Sequence, residues 1–375
     1  MYVESLKRAQ VVSGNRFSGG GALKSFRSLG NSHSRANANL WLTFLAFGTV
    51  VLLPGPAFGQ SNSLSARLKE LNVRRQTQHY AFAGTVTDER LDLYADALEY
   101  IYCEYEKVFS EVLKEEDESD RQADKSRRKS GSWRGTRRPA RREAETAGEE
   151  RRTMDPLDKG DRFPVIVFNR KQDYQAFGQA FLGGSEHTIG MYVSSSRLLL
   201  ILDQGNFEDT FEVLFHEAFH QFMHRYIPRP PVWIDEGLAT HFGYARPTPE
   251  GLSFQRPPSI KWRLVRKLIE KRMAVPLWDV VRAGRSDFYS PLPVDVPRFE
   301  NVTQSSVYYA EAYTLVHTLL MDSSGRQRLR KYLHALASDK GKNPAAITHN
   351  YFGPDVCDHV ASFWVNHVNS RPENR

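Results

Sequence analysis

Twenty residues from Phe207 to Tyr226 run without a glycine or proline, and Phe211, Leu214, Phe215, Ala218, Phe222 and Met223 recur among them at spacings of three and four. That periodicity predicts an amphipathic, mostly buried helix. The same stretch carries His216 and His220, which stand one turn above each other on a helix face. Two imidazoles on a buried face, with the Glu217 carboxylate directly after the first, are the groups that hold one metal ion beside a general base.

The chain then passes through Pro228-Arg229-Pro230-Pro231, which stops the helix, into Trp233-Ile234-Asp235-Glu236-Gly237-Leu238-Ala239. A second helix starting near Val232 returns antiparallel to the first and can bring Glu236 level with the two histidines as a third ligand. Two His and one Glu leave the fourth tetrahedral position for water, which separates a catalytic zinc site from a closed structural one. Asp235 is the competing carboxylate. Successive helical residues point about 100° apart, so only one of the pair can face the histidines. Asp235 has a structural reason of its own near a helix N-terminus, where the dipole favours an acid, and is expected to leave the metal in place when removed.

HEAFH followed by a proline-led WIDEGLA resembles the gluzincin metallopeptidases, in particular small exported bacterial members with P-x-W-x-x-E-G-x-A after the HExxH helix. The match spans roughly residues 161–370. The metzincin alternative requires Gly and then His at three and six residues past the second histidine, where this chain has Met223 and Tyr226. The gluzincin resemblance implies a zinc ion (Zn2+) held by His216, His220 and Glu236, with Glu217 as catalytic base. It also implies an α+β, thermolysin-like zincin fold: a small twisted sheet beside the HExxH helix, followed by a mostly helical lobe. In such a fold an edge strand, here with Met191, Tyr192 and Val193, can take an extended peptide through main-chain hydrogen bonds. A helix from Val307 to Leu320 presents Tyr309 or Tyr308 either as donor to a developing oxyanion or as plain core. In one departure, Thr240 stands where many gluzincins have an Asp that orients a ligand histidine.

The activity implied is that of an exported zinc-dependent metallopeptidase acting on a peptide or protein substrate. Two rivals stay open: a non-catalytic exported binding protein of zincin fold, and a zinc hydrolase of non-peptide amides.

Five segments follow from composition and pattern. Residues 1–59 form a basic leader and signal segment: Leu40 to Leu53 is an uncharged apolar run ended by Pro54, and Ala57-Phe58-Gly59 is a small-x-small cleavage signature. The run is short for a membrane span, so the protein is expected to be exported to the periplasm, cell surface or exterior, with membrane attachment only if the segment is retained. Residues 60–114 hold a strand at Tyr80–Val86 and a long helix at Asp88–Leu113. Residues 115–162 are a basic insertion expected to be disordered. Residues 163–255 carry the zincin core, with a strand at Phe163–Phe168, a helix at Tyr174–Leu182 and one or two strands over Gly190–Leu202. Residues 256–375 form the helical lobe, with helices at Ile260–Met273, Arg326–Ser338 and Val356–Asn369 around a loop at Ala283–Phe299.

The tract 121–153 has twelve basic and five acidic residues, a surplus equal to the +7 of the whole chain. The basic character therefore belongs to peripheral segments rather than to the active unit. No specific nucleic-acid partner is implied; the tract is either a solvated insertion or a contact for a polyanion. Export would permit Cys103 and Cys357 to pair, against the alternative of two small buried thiols. His317, His334, His349, His359 and His367 lack ligand spacing and read as surface or core residues.

Overall fold

Phe163–Phe168 (FPVIVF) and Leu198–Leu202 (LLLIL) are continuous apolar runs, as strands covered on both faces require. A computed structural model describes residues 73–114, 162–182, 188–248, 251–254 and 259–370. The leader and signal segment, residues 60–72 and the basic tract up to residue 161 lie outside the described residues. Among those described, no helix is long and apolar enough to cross a membrane.

The protein is α+β. Its main sheet has five strands, β1 (Arg75–Gln76), β2 (Tyr80–Gly84), β3 (Phe163–Phe168), β4 (Gly190–Val193) and β5 (Leu198–Leu202), in the order β1-β2-β3-β5-β4. The central three run parallel, and β1 and β4 close the edges antiparallel to their neighbours. Alternation along the strands sorts the side chains. Phe82, Val165, Val167, Leu199 and Ile201 face the main core, whereas Ala83, Ile166, Leu200 and Leu202 face a smaller one closed by Tyr174 from α2 (Lys171–Leu182).

On the main-core side lie α1 (Asp88–Lys114), α3 (Phe207–Tyr226) and α4 (Val232–Gly243). Tyr105 of α1 packs its ring edge-on to Phe219 and donates its hydroxyl to the Phe215 carbonyl at 2.7 Å, which ties the long helix to the turn bearing the histidines. A short hairpin of β6 (Arg246–Thr248) and β7 (Gly251–Ser253) leads into the helical lobe. That lobe comprises α5 (Ser259–Glu270), α6 (Leu277–Arg282), α7 (Arg285–Phe288), α8 (Gln304–Met321), α9 (Ser323–Asp339), α10 (Pro344–Phe352) and α11 (Pro354–Ser370). Helix α4 is packed between α3 and α8, and its Trp233 stacks on Tyr332 and meets Phe352 edge-on, which fixes α4 against the lobe.

Two expectations change. The loop foreseen over Ala283–Phe299 contains α7, a single turn too short to carry a periodic signal. Cys103 is exposed rather than set among apolar positions, because the buried stripe of α1 runs through Leu98, Ile101, Tyr102, Tyr105 and Phe109, and position 103 falls off it. Both thiols are free, and the buried Cys357 donates to the Phe352 carbonyl.

One buried carboxyl of the lobe has little to do with the histidines. Glu311 of α8 is fully buried; its Oε1 accepts from the Val275 N–H at 3.0 Å, and its Oε2 has no hydrogen-bond partner among the described residues. Burial raises its pKa from an ordinary 4.5 to about 8. The folded protein therefore holds this proton more tightly than the unfolded chain. Its contribution to stability is fully present below pH 4.5 and is lost as the pH rises toward 8. Glu311→Gln keeps the acceptor for Val275 and removes the ionisation, so it is expected to stabilise the protein by about 4 kcal/mol at pH 8 and hardly at all at pH 4.5. Urea unfolding of both forms at the two pH values measures this, and a difference independent of pH would show that Glu311 is not the group responsible.

Candidate metal centre

His216 and His220 stand four positions apart on α3, and the imidazoles accordingly meet on one side of the helix, their Nε2 atoms 3.2 Å apart. The proline turn sends α4 back across this face. Gly243 permits the close approach: a Cβ there would lie 2.9 Å from the Glu212 carbonyl oxygen and 3.3 Å from the Cβ of His216. Glu236 is thereby brought in with no exposed surface, its Oε2 3.3 Å from His216 Nε2 and 3.5 Å from His220 Nε2. His216, His220 and Glu236 thus form a buried group whose donor atoms could hold a metal ion. The electrostatics favour positive charge at this point. Burial works against the His220 imidazolium, but the carboxylates of Asp235 and Glu236 outweigh it and hold the pKa well above the usual histidine value.

Glu217, next in the chain, lies between these groups and the sheet edge. Its Oε2 accepts the backbone N–H of Tyr192 in β4 at 2.9 Å. Gly190 allows that edge strand to close on α3, since a Cβ would lie 2.3 Å from Val213 Cγ1 and 3.3 Å from Glu217 Cγ. Met191, Tyr192 and Val193 do form the sheet edge, but the Tyr192 amide is already committed to Glu217. Burial raises the Glu217 pKa, and the imidazoles of His216 and His220 partly offset that rise.

Asp235 is not the isolated helix-end acid that the sequence suggested. The Nδ1–H of His220 donates to its Oδ1 at 2.8 Å, and the Nε2–H of His224 donates to its Oδ2 at 2.9 Å. The two imidazoles hold Asp235 far below the usual carboxylate range in spite of its burial. With Nδ1 as the donor, His220 turns the Nε2 lone pair toward His216 and Glu236. Asp235 thereby fixes the orientation of the His220 ring from the position next to Glu236.

The Tyr289 hydroxyl reaches the group, donating to Glu236 Oε1 at 2.6 Å. Tyr309 is buried behind it, with ring centroids 6.2 Å apart, and both rings pack on Phe288. Tyr308 packs on Phe288 as well. His317, His334, His349, His359 and His367 take no part in any metal-capable group among the described residues. Sequence reasoning missed His224 and Tyr289. The first carried a signal in its position four residues past His220; the second had none, since one tyrosine in an irregular segment shows no period.

The chain matches no protein-family model, and no curated protein matches it.

Proposed function

We propose that the protein is a zinc metallopeptidase of thermolysin-like, gluzincin type, exported by its N-terminal segment, in which His216, His220 and Glu236 hold the ion and Glu217 is the base. The observation that carries this reading is the spacing of the three donor atoms. Tetrahedral ligands at zinc distances of about 2.0–2.1 Å stand about 3.3 Å apart, against 3.2, 3.3 and 3.5 Å between these atoms. The donor set, two neutral imidazole nitrogens and one carboxylate, is that of an open catalytic site.

When bound, zinc supplies Lewis acidity that polarises a water and a carbonyl. Glu217 Oε2 is held by the Tyr192 amide, which leaves Oε1 to take the proton of the attacking water. As the carbonyl carbon gains its new C–O bond and the C–N bond breaks, the same oxygen returns the proton to the leaving amine. Tyr289 fixes Glu236 through Oε1 so that Oε2 faces the imidazoles. Tyr309, whose ring packs at a tilt against Tyr289, is our candidate donor to the developing oxyanion. The substrate is a peptide or protein. An extended segment lying along β4 would use main-chain groups other than the Tyr192 N–H.

One zinc per chain is expected in purified protein, with loss of the metal in His216→Ala and His220→Ala. Elemental analysis, run beside hydrolysis of a quenched fluorogenic peptide library, tests both halves of the reading. Wild-type protein that refuses zinc under saturating conditions would remove the metal site, whereas zinc without peptide hydrolysis would remove the peptidase.

A further inference from the structure

Lys261 lies in the first turn of α5 with 4 % of its surface exposed. The position is poor for a cation twice over: the helix dipole disfavours positive charge at this end, and a buried ammonium ordinarily needs an ion pair or hydrogen bonds. Lys261 has neither among the described residues. Its Nζ instead sits 5.8 Å over the ring of Tyr309, and the charges acting on it are those of Glu212 and Glu236. Tyr309 packs on Tyr289, whose hydroxyl bonds Glu236, so the same pair of rings touches both this ammonium and the ligand carboxylate. Both acids are engaged elsewhere. Glu236 faces His216 and His220, and Glu212 is hydrogen-bonded to Tyr244. Burial lowers the ammonium to about 8, with the two carboxylates opposing the fall, so Lys261 keeps its charge at neutral pH.

We propose that Lys261 binds a carboxylate of the substrate beside the metal centre, so that the preferred peptides carry a negative charge close to the cleaved bond. The inference rests on the metallopeptidase reading above. A metal ion at the histidines takes up the charge of Glu236 and leaves Lys261 with the shared Glu212 alone, which makes an incoming carboxylate its natural partner. Two sources offer that group: the free C-terminus of a short peptide, and an Asp or Glu side chain next to the scissile bond. Were Lys261 there only to offset Glu212 and Glu236, its removal would lower zinc retention and show no regard for the charge of a ligand.

Calorimetric titration of the zinc-loaded full chain with short peptidyl hydroxamates decides the matter without relying on turnover. One probe pair differs in C-terminal acid against C-terminal amide, and a second, amide-capped pair differs in Glu against Gln. In the wild type the acidic member of at least one pair is expected to bind tenfold or more tightly than its neutral partner, and the pair that responds names the source. Lys261→Met and Lys261→Gln should abolish the difference, and Lys261→Arg should keep it. Equal affinities within both pairs for the wild-type protein would overturn the proposal with no variant needed, as would a preference that survives Lys261→Met or Lys261→Gln. Failure of the underlying reading looks different: the protein retains no zinc, or binds no hydroxamate of either charge, and the proposal falls with it.

Discussion

Glu217→Gln is expected to keep its zinc and lose peptide hydrolysis by about two to four orders of magnitude, the usual worth of a positioned general base. The substitution isolates the proton. Gln has the same shape, and its side-chain oxygen can still accept the Tyr192 N–H that orients Glu217. Only the ability to take a proton from water disappears. The three convergent donors belong to His216, His220 and Glu236, so the metal should remain, and a zinc content equal to wild type is part of the prediction. The fold should survive, since burial already raises the Glu217 pKa and an amide at this place avoids the cost of a buried charge. Comparison of kcat for the two zinc-loaded proteins on one fluorogenic peptide measures the effect. Retained turnover in the variant would move the base to another residue.

The legible parts of this protein are those with a period. The continuous apolar runs at Phe163–Phe168 and Leu198–Leu202 are central strands, and the three-and-four spacing of Phe207–Tyr226 is the helix α3 that packs on α4. The trio His216, His220 and Glu236 was legible for the same reason, because a helix, a proline stop and a returning helix leave few ways to place their side chains. Illegible were contacts made across long sequence distances by single residues. Tyr289 reaches Glu236 over fifty-three positions, and Lys261 comes near it only because α5 and α8 pack together. Nothing in a local pattern encodes either approach. Asp235 is the instructive case. Helical phase predicts that only one of Asp235 and Glu236 faces the histidines, yet Asp235 bonds the Nδ1 side of His220 while Glu236 lies by its Nε2, and phase alone does not reveal that.

Asp235→Asn is therefore expected to weaken zinc binding by about 10–100-fold, as loss of a carboxylate behind a ligand histidine does. The carboxylate accepts two N–H groups, from His220 Nδ1 at 2.8 Å and from His224 Nε2 at 2.9 Å. An asparagine has one accepting oxygen, so its amide NH2 must oppose one of the two imidazole donors or force that ring to turn. If His220 turns, its Nε2 lone pair leaves the point it shares with His216 and Glu236. Losing the negative charge also makes the His220 imidazole less basic and so a poorer metal donor. Glu236→Gln removes a direct ligand and its charge and should cost more, a hundredfold or above, on the order of 2.7 kcal/mol. His224→Gln touches only the far oxygen of Asp235 and should cost least. Zinc competition against a chromophoric chelator, with cobalt spectra to report the geometry of the site, ranks the three. The order Glu236 above Asp235 above His224 follows from the contacts; an Asp235→Asn protein that binds zinc as tightly as wild type would mean that the hydrogen bond to His220 serves the fold alone.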